Sequence, residues 1–346
     1  AELVAKIIAQ GETIVHGIQK MFDEIEGSCS LLLLNRDGVY AARDRWGYNH
    51  LAIGAGKEGY AVASESTAFP NTGFKVIKHL APGEIVLLSE HGLAEQTPGR
   101  TEQQSCSFMW IYTGFPGSTY EDINVETVRE KCGRALARHD KDITADLAAG
   151  VPDSGVAHAI GYAMESGVPY RRPLVKYTPG YGRSYTPPSQ ERRDFIATMK
   201  LIPVQEITEG NRVILCEDSI VRGTQLKNFT VKKLWDAGAK EIHVRPACPP
   251  LMFPCRFNLS TRSKSELVAR RAIRDIEGKD IEDVSEYLDC NSPKYKKMVD
   301  WIAKDINVTT LRYQKLEDMI EAIGIPREKL CTYCWNGECP KSAAGT

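Results

Sequence analysis

Over residues 1–27, apolar side chains fall at Val4, Ile7, Ile8, Ile14, Val15, Ile18, Phe22 and Ile25, the three and four residue spacing that predicts one helix packed along a single face. The pattern then shortens. SLLLLN, GVYAAR, HLAIG, GYAVAS, GEIVLLS and GLAEQ are strand-length segments parted by turn signals such as Arg36-Asp37-Gly38 and Glu90-His91-Gly92, which predicts an antiparallel sheet after the helix. A polar stretch, TPGRTEQQS, ends this region. From about residue 140 to 250 the order becomes strand, loop, helix, repeated. ITADLAAGV, VPYRRPLVK, RVILCEDS and KEIHVRPA read as strands, and AHAIGYAMES, ERRDFIATMK and TQLKNFTVKKLWDAG as helices. That alternation predicts a doubly wound parallel sheet. Residues 264–325 read as helix-rich with a short strand at VTTLRY, while LCTYCWNGECPKSAAGT has no period with which to anchor itself.

Length and charge narrow the class. A chain of 346 residues has room for two cores, and its 44 basic and 45 acidic side chains leave a net charge of -1, so bulk charge gives no reason for a nucleic-acid partner. The longest aliphatic run, Leu31 to Leu34, is far short of the roughly 20 residues a spanning helix needs, which argues against a membrane role. The opening AELVAKIIAQGE has no basic segment leading into an apolar one, so it does not read as a secretory signal. Ten cysteines in such a chain predict a reducing, cytoplasmic setting with some thiols as metal ligands. The seven histidines form no His-x-x-x-His pair, so a helix-borne zinc hydrolase site has no basis.

The chemistry concentrates in RVILCEDSIVRGTQ, a strand running into two acids and then a hydroxyl and glycine-containing loop that opens a helix. Ligands of open α/β sheets sit at such strand ends. Backbone amides from Ser219 through Ile220, Val221, Arg222 and Gly223 to Thr224, with the Ser219 and Thr224 hydroxyls, can cradle a phosphate. Glu217 and Asp218 can accept from two ribose hydroxyls or hold magnesium, which favours carboxylate oxygens. The plainer alternative is a helix start with two solvated acids. In VKYTPGYGRSYTPPSQERR, Gly180 and Gly182 free the backbone of a loop carrying Lys176, Arg183, Tyr181 and Tyr185, which either closes over a polyanion or is a solvated surface loop. Cys331-Thr-Tyr-Cys334 is a two-thiolate clip that suits zinc, an iron-sulfur cluster or a redox couple, and spacing alone does not choose.

This strand and loop resemble the phosphoribosyl pyrophosphate (PRPP) signature of type I phosphoribosyltransferases. VPDSGVAHAIGYAMESGVPY is similar to the pyrophosphate loop and following helix of one group of them, the amidophosphoribosyltransferases, and VKYTPGYGRSYTPPSQERR to their mobile loop. The resemblance extends to AELVAKII, EIEGSCSLLLLNRDGVYAARDRWG, VASESTAF and LAPGEIVLL, which track the later half of the family's glutaminase domain. The family's nucleophile is a Cys that opens the chain, whereas here Ala1 stands first and no Cys precedes Cys29. RDRWGYNHL also departs from the family's RDPxGxRPL at Arg45, Asn49 and His50. Glutamine hydrolysis is therefore not expected of this chain alone.

The resemblance implies a type I phosphoribosyltransferase-like parallel sheet preceded by a partial α+β N-terminal-nucleophile (glutaminase-like) domain. Residues 1–96 would be the partial glutaminase-like domain, 97–105 a linker, 106–328 the phosphoribosyltransferase domain and 329–346 a cysteine-containing tail. It implies the first step of de novo purine nucleotide synthesis, in which ammonia displaces pyrophosphate from PRPP. No strong acid or base stands out for that step. Asp153, Ser154 and Gly155 would take the pyrophosphate, Lys176 and Arg183 would close over it, and residues 219–224 would hold the 5′-phosphate. Ser154, Glu217 and Asp218 would hold Mg2+. Family members with a [4Fe-4S] cluster imply Cys106, Cys255, Cys331 and Cys334 as its ligands, with Cys339 a rival fourth. Glu217 and Gln225 stand where the family usually has Asp and Thr. Implied partners are ammonia or glutamine-derived ammonia, purine nucleotide inhibitors, a homo-oligomer and a separate glutaminase half. Two rivals remain at this level: a non-catalytic PRPP sensor or scaffold of the same fold, and a base-salvage transferase, which leaves the N-terminal region unexplained.

Overall fold

A computed structural model describes residues 1–25, 27–177, 199, 201–257, 261 and 263–338. The expected N-terminal helix is two, α1 (Glu2–Ile8) and α2 (Ile14–Glu24). Thr13 starts the second by accepting from the His16 amide at 3.1 Å. The chain turns back at backbone contact, since a Cβ on Gly17 would lie 2.0 Å from the Ile8 carbonyl oxygen. Apolar spacing continues through the break, so periodicity alone merged the two.

The following strands are β1 (Leu31–Asn35), β2 (Gly38–Ala42), β3 (Ala52–Gly56), β4 (Gly59–Ala63), β5 (Lys75–His79), β6 (Ile85–Ser89) and β7 (Gly92–Thr97). They form two antiparallel sheets, ordered β1-β2-β6-β7 and β4-β3-β5, rather than one. Alternation explains the layering. Tyr40, Ala42 and Ile85 face Ile18 and Met21 of α2, whereas Ala41, Val86 and Leu88 face Leu51, Ile53 and Leu80 of the second sheet.

Next come β8 (Ser105–Cys106), a π-helical turn at Met109–Thr113, and the short pair β9 (Thr119–Tyr120) and β10 (Ile123–Asn124). Helix α3 (Val125–Arg138) starts at Asn124, whose side chain accepts from the Thr127 amide at 3.0 Å. It packs on α4 (Val156–Ser166) so closely that a Cβ on Gly133 would meet the His158 carbonyl oxygen at 1.9 Å.

The remaining strands are β11 (Leu147–Gly150), β12 (Leu174–Lys176), β13 (Leu201–Pro203), β14 (Arg212–Glu217), β15 (Glu241–Pro246), β16 (Thr310–Leu311) and β17 (Leu330–Cys331). The sheet β11-β14-β15-β16 is parallel throughout, as the alternation of strands and helices predicts. Ala148, Ile214 and Cys216 point into a core with Val128, Cys132, Ala159 and Met319, and Leu147, Val213, Leu215 and Val244 into a second core with Leu234, Val268, Met298 and Ile302. Burial on both faces is why these strands read as continuous apolar runs.

Two expectations change. VPYRRPLVK is not a strand of this sheet: Tyr170 makes a lone parallel bridge to Ala148, and β12 pairs antiparallel with β13 elsewhere. Pro169 and Pro173 lack the amides that a continuous ladder requires. The aperiodic C-terminal segment is anchored after all, because β17 pairs with β8 and the Trp335 ring stacks on Phe108 with centroids 4.8 Å apart. Its contacts are too few to make a period. The expected helix ERRDFIATMK lies outside the described residues except for Met199.

Candidate functional site

A cleft of about 1050 Å³ lies where β14 ends. The strand delivers Glu217, and the chain turns at Asp218, which is only 5% exposed. Asp218 accepts from the Ser154 hydroxyl at 2.5 Å and from the Ser219 hydroxyl at 2.6 Å, and its amide donates to Glu217 Oε1 at 3.2 Å. Burial, and then the Asp218 carboxylate, push the Glu217 carboxyl well above the usual range. A cation or a hydroxyl pair in the cleft would relieve that cost.

Ser154 reaches Asp218 because the 151–155 loop lies against β14 backbone to backbone. The Val151 amide donates to the Cys216 carbonyl at 3.0 Å, and a Cβ on Gly155 would come within 2.4 Å of that same oxygen. No residue but glycine fits there without movement. Asp153 faces outward, its peptide bond to Pro152 is cis, and its carboxylate pairs with Lys176. Neither Asp153 nor Lys176 lines the cleft, and Arg183 lies outside the described residues.

Beyond Asp218 the loop turns its carbonyls away from the cleft. Val221 accepts from the Val268 amide at 2.8 Å and Arg222 from the Arg271 guanidinium at 2.9 Å, while the Arg222 side chain pairs with Glu266 at 3.0 Å. Gly223 has φ 76°, the left-handed turn that starts the following helix. Among the described residues no carbonyl accepts from the amides of Ser219–Gly223. These amides and the helix start behind them form a cradle suited to a phosphate.

The cleft also holds three of the four cysteines singled out by sequence. Cys106, Cys255 and Cys334 line it, and Cys331 is the register partner of Cys106 across the β8–β17 pair. Burial pushes the Cys106 thiol up to about 12, and contact with Cys255, ahead of burial, raises Cys334. Among the described residues no three His, Cys, Asp or Glu side chains converge on a point for one metal ion. Four cysteine sulfurs are the soft donors that an iron-sulfur cluster takes, one to each iron. Cys339 lies outside the described residues. Burial and then the Asp44 carboxylate raise the Cys29 thiol, which disfavours the thiolate a nucleophile needs.

Other residues here carry no local motif. Asn49 reaches the cleft from the N-terminal region, its amide held by Asp44 at 2.9 Å and its side chain donating to Ser28 at 2.6 Å. Its departure from the family's RDPxGxRPL pattern was the only hint in the sequence. Met109, Tyr112 and Thr113 form a wall with Phe108, and Glu266 reaches in from the segment before the helix Val268–Glu277.

No family model matches the chain. It is 31% identical to the amidophosphoribosyltransferase of Methanocaldococcus jannaschii over 98% of its own length and 69% of that protein, and 31% identical to that of Archaeoglobus fulgidus over 100% and 70%. The Mycobacterium bovis amidophosphoribosyltransferase is 32% identical, with 98% of this chain covering 61% of it. A solved structure of the allosteric regulatory enzyme of purine biosynthesis superposes with a TM-score of 0.80 at 30% identity, over 98% of this chain and 68% of that one. Glutamine PRPP amidotransferase from B. subtilis, complexed with ADP and GMP, gives the same TM-score and identity over 70% of its chain. The chain thus spans about 61% to 70% of the length of these relatives. No helix among the described residues is long and apolar enough to cross a membrane.

Proposed function

Because the chain belongs to the amidophosphoribosyltransferase family, we propose that it makes phosphoribosylamine by letting ammonia displace pyrophosphate from the anomeric carbon of PRPP, the opening step of purine nucleotide synthesis. The observation that carries this is the Ser154–Asp218 contact, which brings the 151–155 loop and the acid pair to one cleft beside the Ser219–Gly223 amides, which no carbonyl among the described residues accepts from. Each part has a task. Glu217 and Asp218 would hold the ribose hydroxyls, the Ser219–Thr224 loop would take the 5′-phosphate, and the loop of Asp153, Ser154 and Gly155 would orient the leaving pyrophosphate, with Lys176, which pairs with Asp153 outside the cleft, and Arg183 turning in to neutralise it. Positioning and charge, rather than a protein acid or base, would lower the barrier to an oxocarbenium-like state.

Ser154, Glu217 and Asp218 would hold magnesium, whose charge would help the pyrophosphate leave. The hard oxygen donors and the raised Glu217 carboxyl fit such a cation. Cys106, Cys255, Cys331 and Cys334 would hold a [4Fe-4S] cluster as a tie between β8, β17 and the segment after β15. The same reading divides the chain into a glutaminase-like part to residue 96, a transferase part from 106 to 328 and a short cysteine-bearing end. Glutamine-derived ammonia would come from a further glutaminase segment, and purine nucleotides would act as inhibitors, as the ADP and GMP bound to the B. subtilis relative suggest.

Release of pyrophosphate from magnesium-PRPP, measured against ammonium concentration at mildly alkaline pH, tests the reading. Turnover should track free ammonia rather than ammonium. Tight binding of magnesium-PRPP with no turnover at any ammonium concentration would establish a sensor instead.

A further inference from the structure

The wall that shares the cleft with the acid pair is an irregular piece of backbone with an unusual support. Met109–Thr113 is a π-helical turn that ends at Gly114, whose amide donates to the Met109 carbonyl at 2.8 Å. The carbonyls of this turn and of Gly114 after it find a side-chain donor. Arg129 of α3, 2% exposed, collects three of them: its Nε donates to the Trp110 carbonyl at 2.9 Å, and its Nη2 to those of Tyr112 at 2.9 Å and Gly114 at 2.8 Å. His158 of α4 sits behind it, fully buried, with Nδ1 3.0 Å from the Arg129 carbonyl and Nε2 3.3 Å from that of Ile111. Burial and the Arg129 charge lower His158 to about 3, so the ring is neutral and joins the two backbones through one hydrogen bond and one close contact. Asp218 is the foremost of the charges acting on the buried Arg129 guanidinium.

We propose that Arg129 is a positioning residue for the reaction at this cleft: its fork fixes the 109–114 turn, and with it the Met109, Tyr112 and Thr113 wall, at a set distance from the Glu217–Asp218 pair. The inference rests on the proposed function and extends it to a residue that neither lines the cleft nor belongs to the PRPP loop. A lysine keeps the charge but is a single point donor, so it cannot span three carbonyls in a plane. The turn would then relax toward regular helix and move the wall. A displacement near one ångström at a reacting centre is enough to cost about a hundredfold in rate.

The test is Arg129→Lys in the full chain, with Arg129→Met as a second variant. Trp110 lies within the turn, fully buried, and its indole donates to the Ile123 carbonyl at 3.1 Å, so its 19F resonance in 5-fluorotryptophan-labelled protein reports the turn without reference to activity. The expected result for Arg129→Lys is a folded protein with a shifted Trp110 resonance, a kcat lowered at least about tenfold and a KM for magnesium-PRPP within about threefold of the parent. Arg129→Met should fall further. An unchanged kcat in Arg129→Lys would overturn the inference, as would a loss fully explained by its unfolded fraction. If Arg129→Lys does not fold, comparison moves to His158→Gln, where the same kcat-without-KM pattern is required. A parent chain that binds magnesium-PRPP but never turns over would sink the proposed function itself, and is told apart because the parent alone reveals it.

Discussion

The PRPP-type loop and the cysteine set share one cleft and were built in opposite ways. The loop is contiguous: Glu217, Asp218 and the five residues after them all line the cleft because strand β14 ends there and a helix begins. The cysteines are scattered over more than 220 positions, from Cys106 to Cys334, and meet only because β17 pairs with β8 and the Cys334 carbonyl accepts from the Met252 and Phe253 amides at 2.9 and 3.1 Å. A local site keeps its geometry as long as its strand stays in register. An assembled site depends on every contact that brings distant segments together, so the two should fail differently.

The largest effect is expected at the assembled site. Protein purified without oxygen should contain about four iron and four sulfide per chain, and Cys331→Ser should lose nearly all of both. The segment 330–336 should nevertheless resist protease, because Leu330 and Trp335 are buried without any metal. Elemental analysis and limited proteolysis check the two halves separately. One zinc and no sulfide would replace the cluster by a mononuclear site. Release of the C-terminus in Cys331→Ser would show that the apolar contacts are too weak to hold it.

A smaller loss should follow from Gly155→Ala, which tests whether the contiguous loop is as self-contained as it looks. The new Cβ has no room against the Cys216 carbonyl, and forcing β14 and the 151–155 loop apart should cost about 3 kcal/mol in urea unfolding. A parental midpoint would mean that the loop shifts freely and that Ser154 is not held to Asp218.

Asp218→Asn keeps the shape but removes the charge that receives Ser154 and Ser219. Ammonia-dependent pyrophosphate release should fall by at least about tenfold, or roughly 1.4 kcal/mol of barrier. A parental rate would remove Asp218 from the reaction.

The smallest effect concerns the support behind the wall. His158, and His50 in the N-terminal region, are both lowered to about 3, first by burial and next by a neighbouring arginine. A depressed folded pKa means the unfolded chain takes up the proton first. The stability each neutral ring retains is full above its unfolded value of about 6.5 and declines as pH falls below it. From pH 7.5 to pH 6 each ring should remove about 0.8 kcal/mol from the unfolding free energy. His50→Gln should remove one ring's share of that slope. A flat profile would mean that the rings titrate in the native protein as they do in the unfolded chain.

Much of the molecule is legible in its sequence. The parallel sheet could be read because strands buried on both faces must be apolar throughout, and the loop at 217–224 because phosphate chemistry needs acids, hydroxyls and free amides in one short run. Periodicity was blind where the relevant contact is made by backbone. It missed the break between α1 and α2, which Gly17 makes possible, and the departure of Leu174–Lys176 from the main sheet.

Sequence by itself therefore determined which residue types stand at the phosphate loop, where each thiol lies along the chain, and that the strands of the later half need cover on both faces. Tertiary structure decided what those residues meet: Asn49 at the rim of the cleft, Cys331 opposite Cys106, and one guanidinium gathering the carbonyls of an irregular turn. Local spacing fixes side chains within a helix turn or a strand pair, a few residues along the chain. Contacts between segments that lie hundreds of residues apart are set by packing the whole, and Arg129 carries no mark of that in its neighbours.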